Sequence, residues 1–216
     1  YRKRYENNPD NLSYGLDYSD RLNQVDRFED AIPILKNVIR QDPSSKLAYR
    51  KLAEASKAID DLDGAAAAYE ELFKIDPRDI RIAIDISDVH LENNDYRQAL
   101  RWADKAASID NSSGEGFGQK GKVYYYGWDA FRQNPFTKDD RIVAKLAFDY
   151  FIKAEKKEFR GFSKSTWMAE NSKDLLYGKA QWFMAEDKVK RNRSISTSSP
   201  EYDWVTEFLK AEDGWK

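Results

Sequence analysis

The chain has 216 residues, of which 34% are charged, with 36 basic and 38 acidic side chains and a formal net charge of −2. So even a balance gives no basic field of the kind that general nucleic-acid binding needs, and no nucleic-acid partner is expected. No apolar run approaches the roughly 20 residues that span a bilayer, and no signal-peptide pattern is present, so no direct membrane span is expected in this chain. Cysteine is absent and histidine occurs once. Disulfides, Cys-type metal sites and a thiol nucleophile are therefore excluded. The lack of cysteine fits an extracytoplasmic bacterial setting slightly better than a cytoplasmic one.

Tyr1 and Tyr5 in YRKRYENNPDN fall where a second helix of a pair would carry apolar residues. This stretch reads as the tail of a helix whose beginning is missing, either trimmed from a longer protein or left after removal of a leader or anchor. Three helix pairs are expected next, at 12–24 with 28–41, 46–58 with 62–75, and 80–92 with 96–109. Asp42-Pro43 and Asp76-Pro77 end helices, because proline lacks the N–H and pushes its predecessor out of the helical region. Ser44, Ser45 and Asp79 are candidate caps for the helices that follow. Pro33 is expected in the first turn of its helix, which would place the start near Glu29 or Asp30.

The prolines measure a period. Pro9, Pro43 and Pro77 are 34 residues apart, and a further 34 reaches Asn111, where the Ile-Asp frame persists in SIDNSS. Ala31, Ala65 and Ala99 fall twelve residues before the repeat ends, and Phe28, Leu62 and Tyr96 fall three before those alanines. Leu35, Tyr69 and Ala103 follow four later. In the first helices, Tyr49, Leu52 and Ala53 are matched by Ala83, Ile86 and Ser87; the fourth unit gives Phe117 and Gly121, then Tyr124. Small residues at Ala53, Ser87 and Gly121 would let helices approach closely. A fixed period of about 34 residues built on helix pairs is the length of one tetratricopeptide repeat, and the register over roughly residues 1–157 resembles that family.

The resemblance implies an all-α, right-handed helical solenoid of tetratricopeptide-type helix pairs with a C-terminal helical cap. Residues 1–157 would form the repeat array and residues 158–216 divergent or capping helices. It also implies a concave groove lined by first helices. Carried over by position, its lining is Asp20, Asn23, Arg50, Glu54, Lys57, Arg81, Asp88, Glu92, Gln119, Lys122 and Tyr125. These charges are of both signs, as suits a protein or peptide partner with matched charge. The carboxylate clamp of chaperone-binding members is not matched. Its positions hold Leu16, Asp20, Lys51, Arg81 and Asp85, of which only Arg81 fits.

The fourth unit departs from the pattern. Ala53 to Ala65 spans 12 residues, whereas Gly121 to Ala147 spans 26. The extra residues lie between the helices of the pair, with 128–138 as the insertion, and carry Trp128, Phe131 and Phe136. These three either pack against Trp167 and Trp182 or form a secondary binding surface, since insertions in repeat arrays often map to one face. The expectation is a buried Trp128 and a Phe136 nearer the surface. Residues 163–190 read as a further helical stretch, 191–199 as a loop, and Ser199-Pro200-Glu201 as the start of a last helix carrying Trp204, Val205, Phe208 and Leu209.

Little in the sequence points to catalysis. His90 falls at a packing position of a first helix. The acid pairs Asp60-Asp61, Glu70-Glu71 and Asp139-Asp140 read as solvated caps and polar faces. DDLDG lacks calcium-loop spacing, and GEGFGQKG lacks both the Gly-Lys-Ser/Thr ending and the preceding strand of a phosphate loop. The basic VKRNR at 189–193 reads as a solvated helix end. No cofactor or metal is expected and no enzyme. The expectation is a scaffold or adaptor within a bacterial multi-protein assembly, or else a regulatory or substrate-recruiting domain of a larger enzyme or secretion protein.

Overall fold

The computed structural model describes residues 1–215, and the chain divides into two compact units that meet at Asn93 and Asn94. The first unit holds α1 (Arg2–Asn7), α2 (Leu12–Asn23), α3 (Phe28–Gln41), α4 (Lys46–Ala58), α5 (Leu62–Ile75) and α6 (Ile80–Glu92). The second holds α7 (Tyr96–Ile109), α8 (Glu115–Phe131) and α9 (Lys138–Glu155). Four short helices follow: α10 (Ser165–Glu170), α11 (Ser172–Leu175), α12 (Lys179–Phe183) and α13 (Asp187–Asn192). Strands β1 (Ser194–Ile195) and β2 (Leu209–Lys210) pair antiparallel, Ile195 opposite Leu209.

First helices begin at Leu12, Lys46 and Ile80, and second helices at Phe28, Leu62 and Tyr96, so the period holds to the residue. Within each unit, helices adjacent in sequence pack on one another. Ala31, Ala65 and Ala99 are all fully buried, as are Ser19, Ala53 and Ser87 in the first helices. Leu35, Leu72 and Ile86 fill the spaces between at 0–1% exposure, each worth about 1.5–3 kcal/mol of apolar transfer.

Helix ends explain why the turns repeat. Asp26 and Asp60 adopt left-handed backbone, φ 56° and 63°, a region that Asp and Asn tolerate better than most residues. Around Asp26, Arg27 N donates to Leu22 O at 2.9 Å and Asp26 N to Asn23 O at 3.2 Å. Around Asp60, Asp61 N donates to Ser56 O at 2.9 Å and Asp60 N to Lys57 O at 3.0 Å. This is the double closure that satisfies the last carbonyls of a helix. The next helix is then capped from Asp61, whose side chain accepts from Gly64 N at 2.9 Å, and Asp79 does the same for Arg81 N.

Three expectations need correction. Pro33 is not in the first turn: α3 starts at Phe28, so the proline is its sixth residue and the carbonyl of Glu29 loses its usual donor. Nor does the whole insertion lie between the helices: 128–131 extend α8 to 17 residues and Lys138 opens α9, which has 18, against 12 to 14 in α2 to α7. Only 132–137 are left as the connection, closed by a Thr137–Asp140 capping box. The last helix is absent too: Pro200–Tyr202 makes one 3-10 turn, and the chain runs on irregularly into β2.

Two substitutions test this account. Ala65→Trp overpacks a fully closed helix contact and should cost about 1–3 kcal/mol, read from chemical denaturation. Asp60→Val places a β-branched side chain at positive φ and should cost about 1–3 kcal/mol, while Asp60→Gly should melt close to the wild type.

Candidate functional site

In the first unit the structure turns the first-helix residues into a row of charge. Lys51 on α4 pairs with Asp20 on α2. Arg50 on α4 reaches Asp85 on α6 at 3.0 Å, and Lys57 on α4 reaches Glu92 on α6 at 2.6 Å. Each pair joins one first helix to the next. Asp20, Arg50 and Asp88 are half-buried, whereas Glu54, Lys57, Arg81 and Glu92 are exposed. Asn23 is half-buried, and its buried Oδ1 has no hydrogen-bond partner among the described residues. Burial raises the Asp85 carboxyl above its ordinary value, although Arg50 opposes the shift. Beneath the row, burial, helped by the charges of Asp85 and Glu54, pushes the Tyr69 hydroxyl up to about 12.

The second unit treats its expected groove residues differently. Gln119 is buried and Lys122 half-buried. Tyr125 lies in an aromatic cluster, 5.8 Å from both Phe162 and Trp128 and 6.4 Å from Phe151. The segment after α9 thus packs on α8, where Phe159 meets Gly118 and leaves no room for a side chain there. Trp128 is 1% exposed and touches Phe136 and Trp167; Phe136 is half-buried. Phe131 is partly exposed and meets Tyr96 and Tyr202 edge-on. Trp182 does not join this cluster; it packs on Trp215. His90, in the first unit, is half-buried and its Nε2 has no partner among the described residues.

Sequence reasoning missed a set of buried charges that hold residues 198–212. Lys120 is nearly closed from solvent and meets Asp104 at 2.6 Å, Tyr150 Oη at 2.7 Å, and Glu207. Burial alone would lower its pKa; the hydrogen bonds from the ammonium to Asp104, Glu207 and Tyr150 outweigh that and raise it. Lys145 holds Asp149 and Glu212 in the same way. Asp139 and Asp140 are not the solvated cap residues expected, being 4% and 1% exposed. Asp139 Oδ2 accepts the N–H groups of Ser198 and Ser199, both at 2.7 Å. Asp140 accepts Thr137 N at 2.7 Å and the Tyr202 hydroxyl at 2.6 Å. Trp204 lies against Tyr96, Tyr124 and Gly127. The signal was present: in the 34-residue register Lys120 occupies the column of Leu52 and Ile86, both core residues.

These anchors have measurable consequences. Lys120→Ala should cost about 3 kcal/mol, the low end for breaking a buried ion pair, because Glu207 and Asp104 partly reach water. Urea denaturation followed by tryptophan fluorescence checks it. At Asp139, burial favours the neutral acid, but the two backbone donors win and hold the carboxyl below its ordinary value. A depressed folded pKa stabilises above the unfolded value, and that stability is lost as pH falls through the folded one. Wild type should therefore lose stability on acidification below the usual carboxylate range, and Asp139→Asn should flatten that branch of the pH profile.

Helix pairs repeated at a fixed interval and packed on their sequence neighbours define an all-α helical solenoid. Its period, its buried alanine column and its first-helix small residues are those of the tetratricopeptide type. The solved structure of MamA resembles the chain at a TM-score of 0.59, with 22% identity, over 73% of this chain and 84% of that one. MamA residues 41-end from Desulfovibrio magneticus RS-1 give 0.52 and 15%, over 68% and 75%. YrrB, a TPR protein with an unusual peptide-binding site, gives 0.47 and 15%, over 81% and 97%. These likenesses concern the fold. No family model matches the sequence, and no curated protein matches it. Among the described residues no helix is long and apolar enough to cross a membrane.

Proposed function

We propose that the chain is a non-catalytic protein-interaction scaffold that docks a segment of a partner protein along the first-helix row of α2, α4 and α6, within a multi-protein assembly. The observation that carries this reading is the ladder of ion pairs between successive first helices. Paired from helix to helix, charges of both signs sit at fixed places, with Glu54 and Arg81 exposed among them. A pre-organised surface gives up less side-chain freedom on binding, and complementary charge selects among partners and speeds encounter. The acid pair Asp139-Asp140 fits a structural role, since it accepts from backbone and hydroxyl donors.

The test uses peptides selected from a random phage-displayed library on the intact chain. Arg81→Glu combined with Glu54→Lys reverses two exposed positions and should weaken the selected peptides at least tenfold and change their salt dependence. Lys74→Glu on the second helix α5, where Lys74 is exposed and pairs with Glu71, should change affinity less than twofold. Equal losses from both would place the docking surface elsewhere. Arg50 is a poorer probe, since its reversal sets two negative charges together at Asp85.

A further inference from the structure

The aromatic cluster at the end of α8 encloses space. A cavity of about 290 Å³ is lined by Tyr125, Trp128, Phe136 and Trp167, with Asp129, Arg132 and Asp174 as its charged residues. Trp128, 1% exposed, is part of that lining. Tyr125, Phe136 and Trp167 stand around Trp128 at centroid distances of 5.8, 5.8 and 6.3 Å, tilted 48°, 51° and 49° to it, so none stacks flat on it. Trp167 is the open wall, 44% exposed on the short helix α10. Asp129 and Asp174 are exposed at the rim.

The charged lining is two carboxylates against one guanidinium, a net negative balance. An aromatic face carries the negative end of the ring quadrupole and attracts cations, tryptophan most strongly. Two carboxylates at the rim add to that field and oppose an anion. The protein already uses the attraction internally. The Arg132 guanidinium lies 4.9 Å from the Trp128 ring centroid while bound to Asp129 at 2.8 Å, and the Lys164 ammonium lies 5.9 Å from Tyr125. With Arg132 matched to Asp129, Asp174 remains to balance a further positive charge.

We propose that this cavity binds an alkylammonium group, the head of a methylated lysine side chain or of a small quaternary amine. Trp167 and Phe136 supply the faces beside Trp128, and Asp174 supplies the counter-charge. The site lies wholly in the second unit and stands independently of the first-helix docking surface.

Titration at constant ionic strength, followed by the indole N–H signals of Trp128 and Trp167 in nuclear magnetic resonance, tests it. Choline should bind saturably and at least fivefold more tightly than 3,3-dimethylbutanol, its neutral isostere. Trp167→Ala should weaken choline at least tenfold and Asp174→Asn about threefold. Asp174→Lys changes only an exposed side chain and should abolish binding, which keeps the test decisive if Trp167→Ala disturbs α10. A short glycine-flanked peptide carrying trimethyl-lysine distinguishes the sources. Tighter binding than choline assigns the site to a modified partner protein, and weaker binding assigns it to a small amine. Equal binding of choline and its neutral isostere, or full choline affinity in Asp174→Lys, would overturn the proposal.

Discussion

Close approach of helices at small side chains is the constraint on which the rest of the structure depends. Ala31, Ala65 and Ala99 are fully buried, as are Ser19, Ala53 and Ser87. Each pair of such columns fixes how near one helix can come to the next. Helices held at that distance place first-helix residues of successive repeats within reach of one another, so Arg50 meets Asp85 and Lys57 meets Glu92 across 35 positions of sequence. The charged row is therefore a consequence of packing. As partly exposed pairs these contacts add little stability each; their effect is to fix side-chain positions on a surface that the alanine columns have already built.

The second unit answers a different problem, because α8 and α9 are longer than the regular helices and expose more surface. The tail covers that surface with polar anchors as well as apolar ones. Lys120, Asp139 and Asp140 are each buried, and each bonds to a group of the tail. A buried ion pair seldom adds net stability over an apolar replacement. It does penalise any arrangement in which the partner is missing, and we read the role of these charges here as setting the register of residues 198–212. An apolar stripe alone could slide; Glu207 can satisfy Lys120 from one place.

Most of the array was legible because one period controls helix length, turn and core at once. The helix starts agree with the 34-residue spacing, and even the turn chemistry repeats, with Asp26 and Asp60 both at positive φ. The tail was illegible for the opposite reason. Trp204, Val205, Phe208 and Leu209 have helical spacing, yet no one surface collects them: Trp204 lies against Tyr96 and Tyr124, Leu209 pairs with Ile195, and Phe208 stays 63% exposed. A period is evidence for a helix only when one surface selects every residue in it. Asp139 and Asp140 misled for a related reason. Their positions at a helix start were read rightly, but a cap can also be a buried receptor for a distant segment.

The candidate groove divides along the same line. Its first-unit members lie on the regular helices α2, α4 and α6, where three ion pairs join successive first helices. Its second-unit members lie where the repeat has been modified. Gln119 is buried and Tyr125 is packed among other rings. The modification itself could have been read from residue type. Lysine at the core column of Leu52 and Ile86, and glycine at Gly118 where the side chain of Phe159 presses in, both depart from the repeat where an added layer of structure packs. In a repeat protein, agreement with the consensus register identifies the scaffold, and the residues that break it mark where the scaffold has been adapted to hold something else.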